Sequence, residues 1–133
     1  MTIYFTPQDV NQILAEVSGI FSQIVDQRNK IILLQEELQG IISNGSKFSL
    51  FISKKQELNK SVTLLYKMIE KLEDSGVMIK SVEEGLLDFP SIRFDEEVWL
   101  CWKYGEGEIK FWHGKEEGFM GRKPLTDVNM IEP

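Results

Sequence analysis

The sequence predicts an α+β protein: a long antiparallel helical hairpin over about residues 6–75, followed by a small antiparallel β-meander and tail over about residues 76–133. Two observations lead to this prediction. Apolar residues recur every three or four positions in the first half of the chain, as on one face of a helix. In the second half they alternate with polar residues, as in strands. The length of 133 residues suits a single domain.

The first helix is expected to begin at Thr6-Pro7-Gln8-Asp9. Thr6 can cap the first turn, Pro7 suits its first position, and Asp9 lies at the positive end of the helix dipole. Gly40 and the segment 43–46 are the stop signals. Between these limits the apolar spacing alternates three and four residues, with Gln27 as the polar exception: Val10, Ile13, Val17, Ile20, Ile24, Ile31, Leu34, Leu38 and Ile41.

The second helix repeats this pattern from Phe48 and ends before Ser75-Gly76, with Lys55 as its polar exception. One antiparallel register pairs every overlapping layer of the two helices, as in a coiled coil. It places Leu38 opposite Phe51, Leu34 opposite Lys55, Ile31 opposite Leu58, Gln27 opposite Val62, Ile24 opposite Leu65, Ile20 opposite Ile69, and Val17 opposite Leu72.

The two polar positions in this seam have two interpretations. Gln27 can lie near an edge while the Lys55 stem extends past Leu34 to solvent, or both residues can determine register and oligomeric state. We favour the first interpretation.

Further apolar residues flank the seam, and one partner helix cannot cover a stripe of that width. The C-terminal sheet can cover the end of this stripe near Leu14 and Phe21, but the part beyond about Val25 is out of its reach. We therefore predict a homodimer in which two helical hairpins form a four-helix bundle. The flanking residues are Leu14, Phe21, Val25, Ile32, Leu64 and Met68.

Four strands are predicted after Gly76, separated by turn signals at residues 83–85, 95–96 and 105–108. Pro90 interrupts the second strand, so it is expected at an edge or a bulge. The predicted strands are Val77–Val82, Leu87–Phe94, Val98–Tyr104 and Ile109–His113.

A turn centred between Glu106 and Gly107 sets the expected register of the last hairpin. It pairs Tyr104 with Ile109, Trp102 with Phe111, Cys101 with Trp112, and Leu100 with His113. The predicted core face then carries Val98, Leu100, Trp102, Tyr104, Ile109, Phe111 and His113. The opposite face carries Trp99, Cys101, Lys103, Lys110 and Trp112. A Cys–His dyad is disfavoured by this arrangement, and Cys101 is interpreted as a small buried apolar residue.

The last third of the chain concentrates three Trp, the single Cys and the single His, which makes it the candidate site. Arg122 lies near Gly118 and Gly121, and it can present its guanidinium to a carboxylate or phosphate. The alternative for Arg122 is an internal ion pair, for example with Asp88 or Glu106. His113, at the end of the predicted core face, can act as a general base or a metal ligand. The alternative for His113 is a half-buried imidazole bonded to a backbone carbonyl. The candidate ligand-binding or partner-binding residues are Asp88, Glu106, Trp112, His113, Glu116 and Arg122.

These residues lack complete catalytic or metal-ligand spacing, so no cofactor is predicted and the sequence leaves open whether the protein is an enzyme. The leading hypothesis is a non-enzymatic, homodimeric module that binds an unknown protein or small molecule. The alternative is a metal-assisted hydrolase, in which His113 with Glu106 and Glu116 would hold a divalent ion and a water molecule.

The net charge of −6 disfavours nucleic-acid binding, because such binding depends on neutralising phosphates. Acidic neighbours dilute the only candidate basic patch, the lysines between residues 54 and 71. No apolar stretch is long enough to span a membrane, and the N-terminus lacks the pattern of a secretory signal. With a single cysteine, these features predict a cytoplasmic protein without a membrane partner.

Three segments resemble the domain-of-unknown-function 2203 family of short prokaryotic proteins: FTPQDVNQIL, GVMIKSVEEGLLDFPS and LCWKYGEGEIKFWHGKEEGFMGRKPL. Gly114 departs from the pattern, because relatives often carry a bulkier or acidic residue there. The resemblance implies a helical hairpin with a small sheet in a cytosolic protein, and it implies no activity. The pattern is carried by Cys101, Trp102, Gly105, Glu106, Trp112, His113, Glu116, Gly118, Phe119, Gly121, Arg122, Pro124 and Leu125.

Overall fold

The computed structural model describes residues 2–45 and 47–125. Two long helices form a hairpin and one antiparallel sheet follows, so the predicted α+β class is confirmed. The helices are α1 (Pro7–Ser43) and α2 (Phe48–Glu73). The strands are β1 (Met78–Ser81), β2 (Leu86–Arg93), β3 (Glu96–Lys103), β4 (Phe111–Gly114) and β5 (Lys123–Pro124), in that order across the sheet. A 3₁₀ turn, Phe119–Gly121, precedes β5.

The chain divides into two compact units. The first combines the chain up to Ile20 with the chain from Leu72 onward, and it contains the sheet. The second is Phe21–Lys71, the greater part of the helical hairpin. The single-domain assignment over residues 1–133 stays a prediction, and residues 126–133 of its tail lie outside the described residues.

The start of α1 is capped as predicted. The Asp9 backbone N–H donates to Thr6 Oγ1 at 3.1 Å, and the Thr6 N–H donates to Asp9 Oδ2 at 2.9 Å. Each side chain therefore accepts a hydrogen bond from the backbone N–H of the other residue. At its other end α1 continues through Gly40 and ends at Ser43, where the second predicted stop signal begins. Within that signal, Ser46 lies outside the described residues.

Within the second unit, residues of the predicted seam form one apolar cluster. Its buried members are Ile31, Leu34, Leu38 and Leu58, with Phe51, Val62 and Leu65 packed against them. The side-chain amide of Gln27 donates to the Ser61 carbonyl of α2 at 2.9 Å, which ties the two helices together at one register. Lys55 is exposed, so its ammonium remains in solvent. The hydrogen bond of Gln27 therefore fits the interpretation in which it determines the register of the helices. Lys55 fits the other interpretation, in which its stem extends to solvent.

Within the first unit, one face of the sheet is the core face. Its central residues, Leu87, Phe89, Leu100 and Trp102, are each no more than 1% exposed. Strand alternation places Asp88 and Cys101 on the opposite face, which we call the cavity face.

Pro90 lies within the five-stranded sheet but at a local edge, as its missing N–H requires. Strand β1 extends along β2 only as far as the Met78–Asp88 pair. Beyond that point the Phe5 N–H donates to the Pro90 carbonyl at 2.7 Å, on the side of β2 that faces away from β3.

The turn between the second and third strands was predicted at residues 95–96, which is one residue later than in the structure. Arg93 pairs with Glu96, so the turn residues are Phe94 and Asp95. Both have positive φ, 51° and 64°, as a two-residue type I′ hairpin turn requires.

The predicted register of the last hairpin is wrong by one residue. The structure pairs Cys101 with Phe111, Leu100 with Trp112, and Trp99 with His113. Since alternate residues of a strand point to opposite faces, this slip moves Phe111 and His113 from the predicted core face to the cavity face.

The physical reason lies in the loop between Lys103 and Phe111. It folds back on itself, with the Trp102 indole N–H donating to the Glu106 carbonyl at 2.9 Å. The Ile109 N–H is held by Asn11 Oδ1 of α1 at 2.7 Å. The loop is therefore longer than the tight turn that the glycines suggest, and β4 begins only at Phe111.

No helix among residues 2–45 and 47–125 combines the length and the apolarity that crossing a membrane requires.

Candidate functional site

Three neighbouring strands each place one metal-ligating or titratable side chain at the centre of the cavity face. Asp88 of β2 pairs with Cys101 of β3, and His113 of β4 lies on the same face by strand alternation. One ligand atom from each of the three residues lies within 4.8 Å of the other two. All three side chains are buried: Asp88 is 3% exposed, Cys101 1% and His113 2%. We call these residues the Asp–Cys–His cluster.

The imidazole of His113 is held from both sides. Its Nδ1 lies 2.9 Å from the Gly114 carbonyl oxygen, and its Nε2 lies 3.1 and 3.2 Å from the two carboxylate oxygens of Asp88. A carbonyl oxygen can only accept, so Nδ1 carries a proton and donates it to Gly114. The nitrogen that faces the cluster is therefore Nε2, and it shares one proton with Asp88 or offers a lone pair.

Burial raises the pKa of the Asp88 carboxyl above its ordinary value, because the charged form loses its water. His113, the Lys80 ammonium and the Cys101 thiol act in the opposite direction by stabilising the carboxylate. Lys80 Nζ lies 3.9 Å from Asp88 Oδ2 and 4.2 Å from the centre of the Trp99 ring. The desolvation effect is the largest of these.

The Cys101 thiol is protonated at neutral pH. Burial and the nearby Asp88 charge raise its pKa to about 11, and Arg122 offsets only part of this. The opposite-face argument against a Cys–His pair is wrong, since both residues lie on the cavity face. A nucleophilic cysteine nevertheless requires a lowered pKa, and this environment raises it.

A small cavity of about 110 Å³ adjoins the cluster. A water molecule takes about 30 Å³ of liquid volume, so this space suits an ion with one or two waters and is too small for a large organic substrate. Its lining combines the cluster with one cation, one carboxylate and an aromatic ring: Lys80, Leu86, Asp88, Cys101, His113, Glu117, Gly118 and Phe119.

Arg122 forms the internal ion pair that was the alternative to a ligand-binding role. Its Nη2 donates to Glu106 Oε1 at 2.6 Å and to the Cys101 carbonyl at 3.1 Å. The guanidinium carbon lies 4.1 Å from the ring centre of Phe111 and 4.6 Å from that of Phe119. Arg122 therefore anchors Gly118 and Phe119, which line the cavity and which we call the covering segment. Its Nε is buried without a hydrogen-bond partner in the described part of the chain.

The Glu106 carboxylate is held by internal hydrogen bonds, as Arg122 is. Its Oε1 also accepts the Lys103 backbone N–H at 2.6 Å, which closes the turn after β3. The structure therefore brings Asp88 to His113 and Arg122 to Glu106, with Cys101 between the two pairs.

Two candidate residues lie apart from the cluster. Trp112 is on the opposite face of β4, between the Arg93 guanidinium at 5.1 Å and the Lys123 ammonium at 4.9 Å. Both Glu116 and the next residue, Glu117, are exposed, and of the two it is Glu117 that lines the cavity. The Glu117 carboxylate accepts the Gly114 N–H at 2.8 Å and pairs with Lys123 at 2.5 Å.

The site residues that the sequence did not reveal are Lys80, Cys101 and Glu117. Lys80 and Cys101 join the site only through the pairing of neighbouring strands. Alternation along β1 predicts that Lys80 shares a face with Met78, but it does not predict which face of the sheet that is. Nothing in the sequence distinguishes Glu117 from Glu116, because both follow the same loop. Within residues 2–45 and 47–125, the Asp–Cys–His cluster, with one nitrogen, one sulfur and one oxygen donor, is a group that could hold a metal ion.

We expect the contribution of Asp88 to the stability of the protein, measured with a chelator present, to fall as pH rises through the raised pKa of this carboxyl. The folded state holds the Asp88 proton more tightly than the unfolded chain, since burial raises this pKa from 3.8. This contribution is present at acid pH and is lost as pH rises through the raised pKa. Relative to wild type, Asp88→Asn should therefore be more stable at pH 7 than at pH 4 in urea titrations.

The exposed Asp74 provides the control for this experiment. Asp74→Asn removes an exposed carboxylate and should change the free energy of unfolding by less than about 0.5 kcal/mol. A stability difference between wild type and Asp88→Asn that does not change with pH would contradict the role assigned to Asp88.

The fold and site together define a class: an α+β protein with a long helical hairpin and a five-stranded antiparallel sheet that buries an Asp–Cys–His cluster on one face. The chain belongs to the family described as "Uncharacterized conserved protein (DUF2203)", whose family model matches residues 3–125. The resemblance deduced from the sequence is thereby confirmed. Comparison with curated proteins and with solved structures returned no match.

Proposed function

We propose that this protein is a non-enzymatic, cytoplasmic binding module that acts as a homodimer and binds a small ligand at the Asp–Cys–His cluster. One observation carries the proposal: three buried polar side chains converge beneath a cavity of about 110 Å³ on the cavity face, apart from the apolar core. Buried polar groups are costly unless they are paired or bind a ligand.

Binding is favoured over catalysis by the state of the nearby groups. The Cys101 thiol is protonated, and the Arg122 guanidinium and Glu106 carboxylate are paired with each other. A catalytic centre needs an activated nucleophile or a free acid or base within reach of a substrate. The small size of the cavity also suits a compact ligand.

A thermal-shift screen of divalent cations and small anions tests the ligand-binding proposal. A ligand that binds only the folded state adds about 2.7 kcal/mol of stability at a concentration of 100 Kd, so at least one should raise Tm by several degrees. The shift should disappear in His113→Gln and persist in Glu116→Gln, whose exposed side chain lies outside the cavity lining. If no compound shifts wild type, the proposal fails.

The homodimer is supported by large apolar side chains that are exposed on the hairpin unit. Leu33 is 60% exposed and Leu64 48%, and further exposed positions are Ile42, Phe48, Leu50, Ile52 and Tyr66. A second copy of the hairpin would bury such residues in a four-helix bundle.

Light scattering after size exclusion should give twice the chain mass of 15.4 kDa at micromolar concentration. The double variant Leu33→Glu/Leu64→Glu should give the monomer mass, because four carboxylates would enter the dimer interface. The control is Met120→Glu, a 95% exposed apolar position outside the hairpin unit, which should stay dimeric. A monomeric wild type would refute the dimer.

The alternative, a metal-assisted hydrolase, is favoured by one observation: the Glu117 carboxylate lines the same cavity as the cluster. A metal-bound water could lose its proton to such a carboxylate and attack an ester or phosphoester. Activated esters and phosphoesters, assayed with Zn²⁺, Mn²⁺ or chelator, separate the two functions. Turnover that requires the metal and disappears in Glu117→Gln would replace the binding proposal.

A further inference from the structure

We infer that the ligand is a divalent transition-metal ion of the zinc type, coordinated by Asp88, Cys101 and His113, and that the Lys80 ammonium competes with this ion for Asp88. This inference rests on the proposed binding function and names the ligand class. It differs from the sequence-based hydrolase hypothesis in its donors, because Glu106 is paired with Arg122 and Glu116 is exposed.

The donor set selects the class of ion. Thiolate, imidazole and carboxylate donors together suit zinc, cobalt and other transition metals, whereas magnesium and calcium prefer sites made of oxygen alone. When a thiol coordinates such an ion, its proton passes to solvent and the sulfur donates a lone pair to the metal.

The spacing of the donors fits a single ion. Tetrahedral bonds of about 2.0–2.3 Å place neighbouring ligand atoms roughly 3.3–3.8 Å apart. His113 Nε2 lies 3.1 Å from Asp88 Oδ2, and all three ligand atoms lie within 4.8 Å of one another. Side-chain adjustments of about an ångström therefore suffice to assemble the site on three strands.

An independent observation is the support on the far side of the imidazole. Metal-binding histidines almost always donate their other ring N–H to a carbonyl or carboxylate, which fixes the tautomer and the ring orientation. In this protein Nδ1 donates to the Gly114 carbonyl at 2.9 Å, which leaves Nε2 to face Asp88 and Cys101. The carbonyl of Cys101 is likewise held, by Arg122 at 3.1 Å.

The adjoining cavity provides a fourth coordination position. It has room for a water molecule beside the three protein donors, and the Glu117 carboxylate lines the same space. Three protein ligands with one open position are the usual arrangement of zinc sites that bind an exchangeable ligand.

Lys80 explains how the site tolerates a buried carboxylate without an ion. Its ammonium lies 3.9 Å from Asp88 Oδ2 and against Trp99, and its side chain is 39% exposed, so it can move into solvent. A divalent cation and an ammonium repel each other at such distances. Lys80→Met keeps the apolar stem and removes the competing charge, so it should tighten metal binding.

Titration of the chelator-treated, desalted full-length protein with Zn²⁺ and Co²⁺ tests the inference. Calorimetry should show one ion per chain, and Co²⁺ should produce the near-ultraviolet absorption of a cobalt–thiolate bond. Cys101→Ser should abolish that absorption, and Asp88→Asn and His113→Gln should each weaken binding at least 10–100-fold. Lys80→Met should bind several-fold more tightly than wild type, and Glu116→Gln should match wild type. Circular dichroism verifies that each variant is folded.

The outcomes separate this inference from the proposed function. Absence of heat and of cobalt absorption in wild type, together with His113-dependent stabilisation by a small anion, would overturn the metal assignment and leave the binding function intact. Metal binding that survives Cys101→Ser and His113→Gln would place the ion elsewhere and also overturn the inference. If neither metal nor any other compound binds at the cluster, both proposals fail.

Discussion

Trp102→Ala is expected to lower the free energy of unfolding by about 3–5 kcal/mol, a large part of the roughly 5–15 kcal/mol by which an ordinary protein is stable. Trp102 is 1% exposed on the core face, and removing its indole would leave a large cavity. The change also leaves the Glu106 carbonyl without the indole N–H that it accepts at 2.9 Å. Urea denaturation monitored by circular dichroism measures the loss.

Two further substitutions show how much of this cost comes from the buried volume, how much from the hydrogen bond, and how much depends on the face of the strand. Trp102→Phe keeps most of the buried volume and loses the hydrogen bond, so its cost should be smaller, about 1–2 kcal/mol. Trp99→Ala, in the same strand but with its half-buried side chain on the cavity face, should also cost less than Trp102→Ala. Equal costs for Trp99→Ala and Trp102→Ala would contradict the assignment of the core face.

Glu106→Ala is expected to cost roughly 2–3 kcal/mol. It removes the partner of the Arg122 guanidinium, whose side chain is 13% exposed, and it frees the Lys103 N–H. Breaking a fully buried ion pair costs about 3–5 kcal/mol, and partial exposure of this pair to solvent reduces that figure. The same measurement in urea detects the change.

Glu108 provides the matched control, because it is a glutamate of the same loop with an exposed side chain. Glu108→Ala should change stability by less than about 0.5 kcal/mol. In a double-mutant cycle with Arg122→Met, the Glu106 and Arg122 effects should be strongly non-additive. Additive effects would mean that the ion pair does not anchor the covering segment.

The helical half of the fold could be predicted because its signals are local. The Thr6 and Asp9 cap, the apolar spacing and the glycine near the turn all lie within a few residues of the structure that they determine. The residues that form the apolar cluster, from Ile31 to Leu65, were accordingly found in the predicted seam.

The register of β4 could not be predicted because it depends on contacts that are distant in sequence. Asn11 lies 98 residues from Ile109, yet its side chain holds the backbone N–H that a tight turn would direct toward β3. Strand β4 is also only four residues long, so its own pattern gives little information on register. A slip of one residue then reverses the face of every side chain.

Only part of the candidate site could be predicted, because the rest of it depends on the same strand register. Residue type alone points to four residues of the site, which form two directly bonded pairs: Asp88 with His113, and Glu106 with Arg122. Cys101 was assigned to the opposite face from His113 because the assumed register was wrong. Lys80 comes from a strand 33 residues away from His113, so only the assembled sheet brings it to the cluster.

The Asp–Cys–His cluster exists only if Cys101 and His113 share one face of the sheet next to Asp88. Nuclear Overhauser effects between the imidazole protons of His113 and the β-protons of Cys101, recorded on the chelator-treated protein, test this most directly. We predict that these cross-peaks are present and that those from the imidazole to the side chains of Leu100 and Trp102 are absent. The reverse pattern would show that His113 points into the core, and the cluster, its cavity and the metal site would then be wrong.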